Sequence, residues 1–597
     1  MNIEEILNLD IKTISTEDLQ KLLEKVEAEA DKESYAMAYT YNIIDIVRVE
    51  ELEHELKFIE LIFSLSHFTR TNLHDAFATV KPCDVVIHNK MMDYKVVIPH
   101  KKAESSELSR IIAGGYVKEV IPGLYPYVMS YDFTSLYPHI IMTYNISPDA
   151  YMGKLDKFDN VDNPDRIIND RVYDEIKEKL LENNMCITAK GTVFSRAKKS
   201  FFAEIMEEVF AKRKEYKDIM LLEEQKLEEI KKKLSTNPDD AKLKEEYKKT
   251  KSRVVEFNNQ QLATKIFANA FYGGLANPYS RWFSYDIAES ITLSGQLASK
   301  YVEKYANIYL NKMLKTDNVD YIIAVDTDSA YFNMEGVVKK AFPNGGEREE
   351  IVKFLSNFSK HLEEHVIQAA MEDLYSVTNA YQKKLHMKLE VIAQVIWRKS
   401  KNYVMGVFFN EGVFYSEMKI KMKGIEAVKS STPEVCRNYI KNSIPIILNN
   451  DKDGLLSFIE KCREEFYSLP FEKVANPGGV NGVSKYSDIN TLYTKGTPLH
   501  VRGSLLYNKL LEDHDLDKTY MKIQSGDKIK FTYLKLPNPI REDVISSLDE
   551  LPEEFGLDQF IDYDRQFEKT FIKPITSLAN PAGISLENKS DMSQFYE

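Results

Sequence analysis

The stretch Tyr321–Phe332, YIIAVDTDSAYF, sets the tightest limit on how this chain can fold. The run Tyr321–Val325 reads as a buried strand, and a second short run, Ala330–Phe332, follows two carboxylates that flank one threonine. The pattern predicts a β-hairpin with Asp326 and Asp328 at or near its tip. Two carboxylates so close repel unless a cation lies between them, so the tip is either a solvated turn or half of a divalent-metal site. Aspartate is an ordinary turn residue, and the rest of the chain has to decide between the two.

A chain of 597 residues predicts several domains. No apolar run approaches the length of a membrane span, and the acidic N-terminus MNIEEILNLD is unlike a signal peptide. Cys83, Cys186, Cys436 and Cys462 lie far apart without CxxC spacing, which implies neither a zinc site nor a disulfide framework and fits a reducing cytoplasm. A net charge of -13 argues against a protein that coats nucleic acid indiscriminately, yet permits a local basic channel.

Residues 1–57 read as helical, with Leu19, Leu22, Leu23 and Val26 at helical spacing behind a Ser15–Thr16 cap. Within YTYNIIDIVRVEEL, Tyr41 and Asp45 lie one turn apart on a common face. Residues 58–105 combine a helical pattern, FIELIFSLSHF, with short strands expected around Asp84–Ile87 and Tyr94–Ile98. Gly114–Gly115, following Arg110, allow either a close approach of the backbone to a ligand or a plain turn. YVMSYDFTSLYPHII reads as a buried strand ending near Asp132, then a helix with Pro138 in its first turn. Asp132 is then a helix cap or a metal-binding carboxylate, since a buried carboxylate needs a partner.

Residues 150–195 read as an irregular excursion, and Lys198–Gln261 as a charged antiparallel helical hairpin broken at Ser235–Asp240. Arg213 and Lys217 share a face of its first arm. On the second, Lys265, Asn269 and Tyr272 form one stripe of a helix expected to end at Gly273–Gly274. A polar stripe on an apolar helix suits contact with a phosphate, a base and a sugar. Residues 285–320 and 349–375 read as helix, and His386–Val391 as a strand carrying Glu390. The alternating stretch that follows holds Arg398, Lys399, Lys401, Lys419, Lys421 and Lys423, either a phosphate-binding face or a lysine-guarded sheet edge. Residues 433–597 read as helix-rich, with loops at Asn476–Gly482 and Gly496–Pro498. The tail SDMSQFYE is a frayed end or a short docking peptide using Met592, Phe595 and Tyr596.

One aspartate at a strand end, two on a hairpin and a Lys-Asn-Tyr stripe suit phosphoryl transfer, in which carboxylate-bridged divalent ions activate a 3′-hydroxyl and steady the leaving pyrophosphate. SYDFTSLYPHI, KIFANAFYGG and VDTDSAYF resemble, in order and spacing, motifs A, B and C of family B DNA polymerases. YNIID, NISPD, ITLSGQ and KSSTP are most similar to the T-even-type bacteriophage branch of that family.

The resemblance implies an α+β multidomain, right-hand fold. Its parts would be an exonuclease remnant (1–57), an N-terminal-domain segment (58–103), a palm with an antiparallel sheet (104–199 and 278–424), helical-hairpin fingers (200–277) and a helix-rich thumb (425–597). It implies a DNA-directed DNA polymerase of viral replication in the host-cell cytoplasm, working with two Mg²⁺ ions, dNTPs and primer–template DNA. Asp132, Asp328 and the Phe133 carbonyl would bind metal, with Asp326 and Glu390 as supporting carboxylates. Arg213, Lys217 and Lys265 would hold the triphosphate, with Ser135, Leu136, Tyr137, Asn269 and Tyr272 completing nucleotide binding; Tyr137 would exclude a 2′-hydroxyl, which opposes a use of rNTPs. Ser400–Tyr403 would hold the primer duplex, with Lys401, Tyr403, Lys421, Lys423, Gly424, His500, Arg502 and Gly503 contacting DNA.

The sequence also departs from the family pattern. Val325 stands where glycine is usual and His139 where serine is common; the primer-gripping Lys-Lys-Arg-Tyr is here Ser400, Lys401, Asn402 and Tyr403, so the grip is weaker or compensated elsewhere. Tyr41 and Asp45 match the last exonuclease motif, while the earlier ones are not found upstream. This predicts a polymerase that does not proofread alone, with a separate exonuclease polypeptide as in a split gene, and a sliding clamp docked on the C-terminal tail. The rival from another class is a non-catalytic, polymerase-fold DNA-binding subunit of a replication complex.

Overall fold

The computed structural model describes residues 35–100, 111–155, 164–238, 240–488 and 492–586. The Ser15–Val26 pattern, Arg110 and the tail residues Met592, Phe595 and Tyr596 therefore lie outside the described residues. The chain divides into two units, the first made of Met1–Gly114, Ser135–Ser294 and Tyr375–Lys384, the second of Gly115–Thr134, Gly295–Leu374 and Leu385–Glu597.

The first unit is mainly helical. Its helices include α1 (Tyr35–Leu56), α2 (Phe58–Thr69), α3 (Val80–Asp93), α4 (Leu136–Thr143), α5 (Phe201–Thr236) and α6 (Ala241–Leu275). The long arms α5 and α6 form the antiparallel hairpin anticipated from the Asn237–Pro238 break. The Asp240 carboxylate caps α6 by accepting from the Lys242 and Leu243 N–H groups, and the Ser200 hydroxyl accepts from Ala203 N–H at the start of α5.

Three expectations fail in this unit. The strands expected at Asp84–Ile87 and Tyr94–Ile98 are not there: α3 occupies the first, burying Cys83, Ile87 and Met91 at a spacing of four, a helical period that outweighs the local β-branched run. Nor does α6 stop at Gly273–Gly274. It continues to Leu275, and Gly274 serves a close helix crossing, where an added Cβ would lie 2.9 Å from the Cβ of Cys83. The supposed irregular excursion contains a three-stranded antiparallel sheet of Tyr151–Lys154, Thr192–Ser195 and Met185–Ile187.

The second unit is built on a six-stranded antiparallel sheet: β1 (Gly123–Phe133), β2 (Ile322–Asp326), β3 (Ser329–Asn333), β4 (Met387–Lys399), β5 (Asn402–Asn410) and β6 (Val413–Lys423). The spatial order is β2-β3-β1-β4-β5-β6, so β6 is an edge strand. Alternate residues feed separate cores. Val395 and Trp397 join Val128, Tyr331 and Val407, whereas Ile396 and Val404 join the helices Glu434–Leu448 and Lys452–Tyr467. Both faces of these central strands are thus covered, which accounts for their nearly unbroken apolar sequence.

Asn476–Gly479, expected as a loop, is instead a strand paired with Lys528–Tyr533. It lies at the edge of its small sheet, where Pro477 is tolerated because an edge position can do without one N–H. All four cysteines are buried free thiols.

Candidate functional site

The register of the second unit's sheet brings three aspartates to one end. Asp326 pairs with Ser329 across the β2–β3 hairpin, and Asp132 pairs with the same Ser329 across β1–β3. Thr327 and Asp328 form the tip. Thr327 has φ 65°, a left-handed conformation that β-branched residues rarely adopt, so the tip must be held from outside. Its N–H donates to Tyr116 O at 2.7 Å, and its carbonyl accepts from Ser299 Oγ at 2.9 Å. Phe133 N–H donates to Asp328 O at 2.9 Å. Gly115 approaches so closely that a Cβ would sit 2.5 Å from Thr327 Oγ1, so this glycine makes room for the hairpin tip.

Within that frame the three carboxylates differ. Burial, then the charge of Asp328, pushes the Asp132 carboxyl up to about 7, with Glu390 and Glu411 adding to the effect and the Ser329 hydroxyl, which donates to Oδ1 at 2.8 Å, opposing it. Asp328 is also raised, by burial first and then by Asp326, despite the favourable fields of Lys423 and Lys401. Asp326 goes the other way: burial would raise it, but Lys401 on Oδ1 and Lys423 on Oδ2, the latter at 3.2 Å, hold it below the usual carboxylate range. Asp132 and Asp328 make no ion pair among the described residues, nor does any group of three or more His, Cys, Asp or Glu there come together as a metal site. Two acids raised by burial and by neighbouring carboxylates, beside the Phe133 backbone, fit a hard divalent cation, which prefers oxygen donors and would relieve the repulsion. Asp132 is not a helix cap: Ser135 is the N-cap of α4, and its side chain makes no capping hydrogen bond.

The remaining predicted nucleotide-site residues lie in the first unit. Tyr137 on α4 packs against Tyr272 on α6, ring centres 4.7 Å apart. Burial raises the Tyr272 hydroxyl, and a hydrogen bond with Thr292 opposes that shift. Ser135 has φ 46°, and the next residue, Leu136, is buried. Lys265 and Asn269 are exposed on the same stripe of α6 as the half-buried Tyr272. Arg213 on α5 is partly buried; its Nε has no hydrogen-bond partner, and desolvation lowers its pKa. Neither Lys217 nor Lys265 forms an ion pair among the described residues. Tyr41 and Asp45 are exposed on α1.

Comparison with known proteins places this arrangement. The profile of DNA polymerase family B matches residues 82–237 and 239–477. The chain belongs to that family. The DNA-directed DNA polymerase of Enterobacteria phage T4 is 27% identical over 593 residues, covering 93% of this chain and 64% of the relative. That of Escherichia phage RB69 is 27% identical over 600 residues, covering 94% and 64%. A DNA polymerase of Pyrococcus glycovorans is 28% identical over 382 residues, covering 63% and 37%. The chain thus spans about 64% of the length of its phage relatives.

The motifs shared with family B polymerases led to the aspartates and to Glu390, Lys401 and Lys423, but missed Ser329 and Glu411 and the pairing of the two lysines with Asp326. Ser329 follows Asp328 directly, but its bond to Asp132, like the approach of Glu411 from an Asn-Glu-Gly turn and of the clamp residues Tyr116 and Ser299, depends on pairings remote in sequence. Tyr403 packs on Trp397, ring centres 4.9 Å apart, and lies 6.3 Å from Tyr331. On the helix Leu499–Asp513, Arg502 pairs with Asp543, and Gly503 leaves no room for a Cβ beside Ser546 Oγ, 2.4 Å away. Burial lowers the pKa of His500, which favours its neutral form.

Proposed function

We propose that this chain is a DNA-directed DNA polymerase that adds dNTPs to a primer 3′ end under the direction of a template, by two-metal phosphoryl transfer, in the replication of a viral genome. The observation that carries the reading is the unequal treatment of the carboxylates. Asp326 is neutralised by two lysines, while Asp132 and Asp328 are left raised and, among the described residues, without an ion pair. Asp132, Asp328 and the Phe133 carbonyl would hold Mg²⁺. Metal held by these residues would supply Lewis acidity toward the attacking hydroxyl and positive charge for the leaving pyrophosphate.

The chain's other residues bind and orient. Arg213, Lys217 and Lys265 hold the triphosphate, since cations that meet no carboxylate among the described residues suit an anionic ligand. Tyr137 lies under the sugar and leaves no space for a 2′-hydroxyl, held there by its contact with Tyr272. Asn269 and Tyr272 border the nascent base pair, with Ser135 and Leu136 beside the nucleotide. Lys401, Tyr403, Lys421, Gly424, His500, Arg502 and Gly503 line the duplex. Asp45, on an exposed helix face, joins no carboxylate cluster among the described residues, and the further carboxylates that two-metal hydrolysis needs would come from outside them.

Primer extension on a primed template with Mg²⁺ and dNTPs, alongside D328A, tests the reading. Extension by the wild-type chain, abolished in the mutant, is the expected result. Silence from the wild type even with a candidate exonuclease partner would leave the non-catalytic DNA-binding subunit.

A further inference from the structure

Three lysines alternate along the edge strand β6, and each does something different. Lys421 Nζ donates to Asn410 Oδ1 at 2.7 Å, and Lys419 Nζ lies 4.2 Å from the centre of the Tyr415 ring. Lys423 reaches the β2–β3 hairpin and binds Asp326 Oδ2, with Lys401 on the other oxygen. An alternating strand by itself does not require this. It follows from how β6 ends. Gly424 has φ +71°, and a Cβ there would meet Lys401 O at 2.3 Å, so the backbone is pressed against the Ser400–Lys401 turn. Buried Asn402 donates from Nδ2 to Gly424 O at 2.8 Å, and Ser400 Oγ donates to Lys118 O at 2.9 Å. Ser400 and Asn402 are neutral groups that fasten backbone to backbone, and the second positive charge at this end of the sheet comes from Lys423.

The exposures support a role directed inward. The Asp326 side chain is 17% exposed, against 51% for Lys423 and 54% for Lys401. A carboxylate that far from water, two residues from Asp328, is costly unless its charge is met. One lysine would balance one carboxylate; the second engages the oxygen that would otherwise be open to a cation.

We infer that Lys423 is a positioning residue for the metal-binding pair: together with Lys401 it occupies both oxygens of Asp326, so that a divalent cation is left to Asp132 and Asp328. The inference rests on reading those two as the metal carboxylates. Removing Lys423 then has two opposite effects. It takes a repelling charge away from the cation and frees a third carboxylate to compete for it, so binding strengthens while the productive geometry is lost.

The experiment is Mn²⁺ binding to the full chain without DNA, read from the free-ion paramagnetic resonance signal, beside primer extension at saturating metal and DNA. In K423M, Mn²⁺ should bind about tenfold tighter, the scale of one partly screened unit charge, while extension slows about tenfold. K423R should restore both. The inference is overturned if K423M leaves Mn²⁺ affinity unchanged or weakens it. It is overturned likewise if the variant instead loses primer–template affinity with a salt dependence shallower by about one, which would make Lys423 a phosphate contact. If D132A and D328A bind Mn²⁺ as the wild type does, the reading of the carboxylates falls, whatever K423M does.

Discussion

The hairpin tip of the second unit and the long helices of the first handle charge in contrasting ways. At the tip, Lys401 and Lys423 meet Asp326, and elsewhere in the same unit Lys118 meets Glu303 and Asp320. On α5 and α6, Arg213, Lys217 and Lys265 meet no carboxylate among the described residues, although the same hairpin has pairs such as Lys231–Glu228 close by. A partly buried charge without a partner costs free energy in the free protein. On the proposed reading, charges met inside the protein belong to the architecture, and the partly buried Arg213 and the raised acids are left for a ligand to meet. Asp132 and Asp328 belong with the second kind despite lying beside the first.

The contrast can be broken or sharpened by substitution. The largest effect should come from D132A or D328A, each lowering single-turnover primer extension about a thousandfold or more, since the metal's contribution is lost with either acid. D326N should cost only about tenfold in the same assay; a loss as deep as that of D328A would erase the distinction between the two acids. K265A and R213A should each lower kcat/KM for dNTP about a hundredfold, and K231A, whose cation is already paired, should leave it unchanged. Y137A should admit rNTPs, raising their incorporation relative to dNTPs about a hundredfold in competition assays. The smallest effect is on stability: G115A should destabilise by about 2 kcal/mol in chemical denaturation, because its Cβ meets the immobile Thr327 Cβ at 3.0 Å as well as its hydroxyl.

Much of this was legible in the sequence where a single local period governs. The strand–turn–strand around Asp326, the Asn237–Pro238 break and the 265/269/272 stripe each depend on a few neighbouring residues, and each formed as expected. Readings failed where a distant element decided. Gly274 looked like a helix end and is a crossing point for α3; Gly115 looked like part of a ligand loop or turn and makes room for Thr327; Asn476–Gly479 looked like a loop because a glycine-rich edge strand has no side-chain pattern to reveal its partner. Within the site, the residue types of Asp132 and Asp328 were readable, but which carboxylate would be neutralised was not, because Lys423 lies 97 residues from Asp326 in the chain and reaches it only through the turn at Gly424.

The tip itself is fastened by neutral hydrogen bonds: Thr327 N–H to Tyr116 O, Ser299 Oγ to Thr327 O, and Phe133 N–H to Asp328 O. Mobile ions screen exposed charges from one another beyond roughly 10 Å at 0.1 M ionic strength but leave such bonds almost untouched. Shape and grip therefore respond to different features of the surroundings. As a cell concentrates its electrolytes, the hold on a polyanion should slacken first, while the place where the new bond is made keeps its form.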